Sequence, residues 1–432
     1  LKTVIIVQLL YIYKMITFLK TSTQKKAGFK IDNYNSSRRL SEIICIETGI
    51  SLSYNTLRRF FGIVKSVKPS NHTLDTLAVF NGFSNYTDFT RNFHLKNRWE
   101  QEFKLASLMQ DSEKELLLFV EENLHTNRDF TLKLTQIVRE LMLVKNYDLL
   151  VQIFSLKKMT YDHFNFDDIA YFGNCTGTLL KTFDSESKEL QKLVLNDNFL
   201  DLILTIYVDY KHLNSYYGNW LIVIEKHTKR KDVKQFCRGV LNLKMYLNKE
   251  SQDHFFKLVP DSSFHPILKG RIIAQELFYE SKDLSKIMNN YHHQIPSNSD
   301  SETDIDYYFE LITTAIITRN FEVMTWISEK FKIKTNYSNY YKFEHYEQYG
   351  LMVMLLFMFR QDLESLQLWQ KSISFDNFPR NYETLMLQYV YILKYHKSKT
   401  NKISYKNQYL EGAKNFYPSF FNEAYLNNYF KS

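Results

Sequence analysis

The clearest apolar–polar pattern runs from Arg38 to Phe93, and the remainder of the chain reads as an extension of it. Leu40, Ile43, Ile44 and Ile46 predict a mostly one-sided helix over Arg38–Thr48, with Ser36 and Ser37 as candidate caps. Gly49 ends that helix as a left-handed C-terminal residue would. Ile50-Ser51-Leu52 makes the turn, Ser53 caps a second helix over Tyr54–Phe61, and Gly62 ends it. Leu57, Phe60 and Phe61 stand at i, i+3, i+4 and face inward, which turns Tyr54, Asn55, Arg58 and Arg59 outward. After Lys68-Pro69-Ser70, a third helix over Thr73–Asn81 buries Leu74, Leu77, Ala78 and Phe80. Gly82 follows, then a short helix over Tyr86–Phe93, with Phe83, Tyr86 and Phe89 closing a small core.

From Trp99 onward the pattern is helix after helix. Trp99–Met109, Glu113–His125, Phe130–Val144, Phe199–Tyr207, Val233–Leu247, Pro266–Glu280 and Tyr382–Tyr395 are examples, with Pro266 at a first helical position. A weak internal echo joins several of them: a polar or basic residue, Asn or Asp, then an apolar residue that opens the next helix. It occurs at Lys145-Asn146-Tyr147, Lys282-Asp283-Leu284, Arg319-Asn320-Phe321 and Gln361-Asp362-Leu363. The last three are 37 and 42 residues apart, a period that belongs to helix-hairpin solenoids. Residues 97–432 therefore look like a degenerate tetratricopeptide-like α-solenoid, although most residues specific to that repeat are absent. An irregular all-helical domain is the alternative. With only 11 Gly and 6 Pro in 432 residues, turn breakers are too few for a many-turned β-architecture.

The charge is unevenly spread. Residues 1–98 hold 15 Lys and Arg against 5 Asp and Glu, whereas the rest holds 40 against 42. A basic head on a near-neutral body is the electrostatic footprint of a polyanion binder, the alternative being a chance excess of solvated lysines. The 31 Tyr and 34 Phe, with abundant Lys, Asn and Ile, fit an AT-rich genome better than a stacking surface for single strands. Cys45, Cys175 and Cys237 are far apart and odd in number, so neither a zinc site nor a disulfide framework is indicated, and a reducing cytoplasm fits.

Residues 4–13 (VIIVQLLYIY) are apolar but lack a cleavage site and are too short for a span, which needs about 20 apolar residues. Residues 1–14 read as upstream reading frame or a disordered lead, ahead of Met15. Residues 15–35, with Lys20, Lys25, Lys26 and Lys30, read as a basic arm.

The run over 36–93 resembles the lambda-repressor-like (cro/C1-type) helix-turn-helix domain. The likeness rests on the turn at Gly49-Ile50, the Ser-capped second helix, the loop ending in Pro69, Thr73-Leu74-x-x-Leu77-Ala78-x-x-x-Gly82 and a last helix ending in Phe89. It is similar in particular to the N-terminal regions of proteins common in Bacteroidetes. One departure stands out: the inward positions fall at Leu57 and Phe60, two residues later than the family spacing from the turn glycine. Moved by that shift, the resemblance implies base-facing roles for Ser53, Tyr54, Asn55, Arg58 and Arg59. Lys65 and Lys68 would then hold phosphates. Arg takes guanine bidentately and Asn takes adenine. The bland reading is that Arg58 and Arg59 merely solvate a surface helix.

No catalytic pattern stands out: there is no glycine-rich phosphate loop, HExxH or GxSxG. His292-His293 with Asp300, Glu302, Asp304 and Asp306 reads as the solvated first turn of an apolar helix rather than a metal cluster. His227–Lys234 (HTKRKDVK) reads as a solvated inter-helix loop, and Trp220, Trp326 and Trp369 as packing residues. The expectation is an all-α protein with a helix-turn-helix-like domain over 36–96 followed by the α-solenoid. Its expected role is a cytoplasmic, non-enzymatic DNA-binding transcriptional regulator without metal or cofactor. Its partners would be double-stranded DNA at the head and a peptide, a protein or a second copy of the chain at the repeats, with no membrane. The alternative is an interaction scaffold whose head no longer binds DNA.

Overall fold

The structure is a computed structural model that describes residues 2–65, 67–124, 130–279, 284–294, 301–331, 333, 340–373, 375, 378 and 382–431. The described residues are all-helical, without a strand. The chain divides into two compact units, Leu1–Leu116 and Leu117–Ser432.

Five helices lie wholly within the described residues of the first unit: α1 (Lys2–Ala27), α2 (Tyr34–Thr48), α3 (Tyr54–Phe61), α4 (Asn71–Phe80) and α5 (Tyr86–Asp111). Residues 15–27 thus belong to a helix and not to a free arm. Met15, Leu19 and Thr23, one turn apart, are all buried, and Leu19 belongs to the unit's apolar cluster. The lysines hid this stripe from the sequence reading, because their stems can cover apolar surface while the ammonium stays wet. Lys20 Nζ lies 5.4 Å from the Phe60 ring centre and Lys26 Nζ 4.5 Å from that of Phe80. Burial pushes the Lys20 ammonium below its usual pKa.

Asn33, rather than Ser36 or Ser37, caps α2. Its side chain accepts the Ser36 amide at 2.9 Å while Ser36 Oγ accepts the Asn33 amide at 3.1 Å, a reciprocal box that starts the helix four residues early. The C-terminal stop is at Gly49 (φ 71°), as the glycine predicts. Ile46 does not join the buried stripe; it is 83% exposed, since six residues past Leu40 it has rotated off the inward face. Ser70 caps α4, and α5 continues to Asp111, well beyond the short helix expected to end at Phe93. The core joins Leu40, Ile44, Leu57, Phe60, Leu77 and Phe89, with Phe83 edge-on to Phe89 at 5.2 Å.

In the second unit, helical hairpins pack side by side. Phe130–Leu143 packs on Tyr147–Phe154, Ser301–Ile317 on Phe321–Lys330, and Tyr340–Phe359 on Leu363–Ser372. The three joints share one backbone solution. Lys145, Arg319 and Gln361 sit in the left-handed region (φ 60°, 57° and 58°). The next residue, Asn146, Asn320 or Asp362, then caps the following helix by accepting the amide three residues on. This is the sequence echo in physical form; its copy at Lys282-Asp283 lies outside the described residues.

Contacts also run between distant segments, unlike those of a strictly linear stack. Phe166–Gly177 packs on Tyr340–Phe359, and Tyr210 stacks on Tyr382 with ring centres 4.0 Å apart. Near Phe199 the expected helix becomes a wider π-type turn over Leu200–Leu204. In His227–Lys234 only residues 228–230 lie between helices, and there Arg230 is held by Asp201 at 2.6 Å and by Asp232. Trp220 is fully buried and donates to the Leu180 carbonyl at 3.2 Å, while Trp326 packs on Tyr291 and Tyr308.

Candidate nucleic-acid interface

The α2–turn–α3 unit is fixed from inside. Leu52 is buried, and Ser41 Oγ donates to its carbonyl, so the turn is pinned to the middle of α2. Leu52 shares the unit's apolar cluster with Leu57 and Phe60, so the turn itself contributes to the core. Ser53 then accepts the Thr56 amide at 3.1 Å and starts α3, while Gly62 (φ 80°) stops it.

On this short helix Leu57 and Phe60 are buried, while Asn55 and Arg59 are exposed. Tyr54 and Arg58 are half-buried. Tyr54 stands edge-on to Tyr34 at 5.0 Å, and the Arg58 guanidinium lies 5.7 Å from the Tyr34 ring centre. Arg58 Nη1 donates to Asn55 Oδ1 at 3.2 Å, and its Nε is buried with no hydrogen-bond partner. Arg58 and Asn55 are therefore one coupled pair, backed by an aromatic ring from the start of α2. The sequence reading missed Tyr34, because α2 was expected to begin at Arg38 and nothing local links positions 34 and 58. Lys65 and Lys68 follow α3 and are exposed.

The acids decide the electrostatics. Each of the five among residues 1–98 is engaged. Glu47 pairs with Lys26 at 2.7 Å and Glu42 with Arg38 at 3.2 Å. Asp32 accepts from Asn33 Nδ2 at 2.8 Å, and Asp75 accepts the Tyr86 amide at 2.8 Å. Asp88 accepts the Ser84 amide at 2.8 Å, which with the Asn92 side chain holds its carboxyl below the usual range. Arg39 is stacked on Phe29 at 4.5 Å. Arg59, Lys65 and Lys68 have no ion pair among the described residues.

No group of three His, Cys, Asp or Glu among the described residues is placed to hold a metal. Asp300 lies outside the described residues, as do the side chains of His292 and Glu302. No helix among the described residues is long and apolar enough to cross a membrane. No protein-family model matches the chain, and no curated protein or solved structure does either.

Proposed function

We propose that the first unit binds double-stranded DNA, and that the chain is a non-enzymatic transcriptional regulator of the cytoplasm. In this reading the second unit, a tetratricopeptide-like array of hairpins, receives a peptide or protein signal or pairs two copies of the chain. The observation that carries it is the spending of all five local acids on other partners. Arg59, Lys65 and Lys68 are left as exposed cations on and just after a capped helix that follows a tight turn. Lys65 and Lys68 would hold phosphates without reading sequence, while Asn55, Arg58 and Arg59 would face bases, with Ser53 and Tyr54 at the helix start.

The test is binding of the full chain to mixed duplex DNA across a salt series. Phosphate contacts make affinity fall steeply with salt, by about 0.9 in the slope of log K against log salt per contact. Binding that ignores salt, or no binding at low salt, overturns the proposal.

A second reading is a scaffold whose head no longer grips DNA. It is favoured by Arg58, whose guanidinium is already occupied by Tyr34 and Asn55. Under it, replacing Arg58 and Arg59 with alanine leaves all partner binding intact.

A further inference from the structure

Between Glu383 and Glu411 the sequence has five lysines and no acid. The near-even charge total of the chain beyond residue 98 averages this run away. The helices Glu383–Lys397 and Lys402–Ala413 pack as a hairpin and gather the lysines at its tip. Lys394, Lys397, Lys399 and Lys402 are all exposed there.

Two contacts cross the hairpin, one in each direction. Lys394 Nζ lies 6.0 Å from the Tyr405 ring centre, and Lys402 Nζ lies 4.7 Å from that of Tyr395. Tyr395 donates to Asn427 Oδ1 at 2.7 Å, so the last helix braces the tip. A ring attracts an ammonium without cancelling its charge, so these lysines are positioned and still cationic. Lys397 donates to the neutral Gln370 side chain, whereas Lys406 is answered by Glu423 at 2.5 Å. Lys394, Lys399 and Lys402 have no ion pair among the described residues. His396 lies within their field: burial is the main force that lowers its pKa, and the charges of Lys402 and Lys431 add to it.

The neighbouring groups narrow the partner. Thr400, Asn401 and Ser404 are exposed between the lysines, and such neutral side chains share phosphate and sugar contacts with cations. Tyr395 and Tyr405 are half-buried beneath lysines, which removes the open rings that unstacked bases of a single strand need. A lipid surface would draw on buried apolar area, and Ile403 is the single large apolar side chain exposed on this hairpin among the described residues.

We propose that the tip of this hairpin binds the phosphate backbone of double-stranded DNA without reading its sequence, through Lys394, Lys399 and Lys402. This is a second contact, beyond the one proposed for the first unit, and it does not rest on that reading.

The experiment uses the full chain with Arg59→Ala, Lys65→Ala and Lys68→Ala, which silences the first unit's proposed contact. This chain is expected to bind mixed duplex DNA at low salt, with equal affinity for two unrelated sequences. Adding Lys394→Gln, Lys399→Gln and Lys402→Gln should lower the slope of log K against log salt by about 3, at one phosphate for each lysine, or abolish binding. Far-UV circular dichroism checks that the helices persist. The proposal is overturned if the silenced chain does not bind duplex, or if the three glutamines leave the slope in place. It also falls if they abolish sedimentation with phosphatidylserine vesicles while duplex binding is unmoved, since the surface would then serve a lipid. The first unit's reading fails separately, if silencing it changes neither the affinity nor the slope of the parent chain.

Discussion

Gln361 and Asp362 stand side by side in one hairpin joint and should respond to substitution with opposite signs. Gln361 holds φ 58°, a conformation costly for any residue with a Cβ, whereas glycine adopts it freely. Gln361→Gly is expected to stabilise the second unit by about 0.5 kcal/mol, the relief of strain being partly offset by the greater freedom of glycine in the unfolded chain. Asp362 accepts the Ser365 amide at 3.1 Å, and Asp362→Ala is expected to cost about 1 kcal/mol. Urea titration of both variants checks the pair; a loss on Gln361→Gly would deny the strain, and no loss on Asp362→Ala would show that the joint is not held by its cap. These joints were legible in the sequence because the left-handed residue, the cap and the next helix are neighbours in the chain. The same locality made Ser53, Gly49 and Gly62 readable. The bond from Arg58 to Asn55 was also within local reach, but Tyr34 was not. No sequence period connects a ring at the start of α2 to a guanidinium 24 positions later.

Elements that close the fold through long-range polar contacts were the least legible. Arg271 and Glu310 are each about 6% exposed at the side chain and lie 39 positions apart. Burial works against the Arg271 charge, and Glu310 together with Tyr210 and Tyr382 more than offsets that. Removing one partner strands the other, so Glu310→Leu alone is expected to destabilise the second unit by about 3–5 kcal/mol. Replacing both, as Arg271→Met with Glu310→Leu, should cost far less, because no lone charge remains. A double-mutant cycle by denaturant unfolding reads the difference, and additive losses would rule the coupling out.

The last helix, Glu423–Asn428, is tied on by another remote contact, His396 Nε2 to the Leu426 carbonyl oxygen at 2.7 Å. Burial lowers the pKa of His396 below its ordinary value of 6.5, outweighing that bond, which raises it. The unfolded chain therefore takes up the proton first as pH falls. Stability from this group is present above the ordinary histidine range and is lost as pH drops through it. Melting between roughly pH 5 and pH 7.5 should show Tm falling on acidification, and His396→Gln should flatten that dependence. A Tm unchanged over this window would remove His396 from the account.

Across the whole molecule, two basic runs look alike in sequence and differ in how their charges are spent. Lys65 and Lys68 have no ion pair among the described residues, and the acids near them in the chain are engaged elsewhere. In the other run, Arg230 is bound by Asp201 and Asp232, and Lys234 lies 3.8 Å from Glu225. Counting charges along the chain marks both runs; only the folded pairing tells them apart. The proposed DNA contact therefore makes a differential prediction. Counterions are released only where a cation is free to replace them on a phosphate. In the full chain, Lys65→Ala with Lys68→Ala should reduce the salt slope of duplex binding by about 2, at one phosphate for each lysine. Lys234→Ala, which removes a charge already answered by a carboxylate, should leave the slope where it was. Arg58→Ala should weaken binding in a sequence-dependent way, by about 1–3 kcal/mol at a preferred site, because its hydrogen bonds can be met only by particular base edges. A slope lowered equally by the Lys234 change would place the polyanion contact in the second unit.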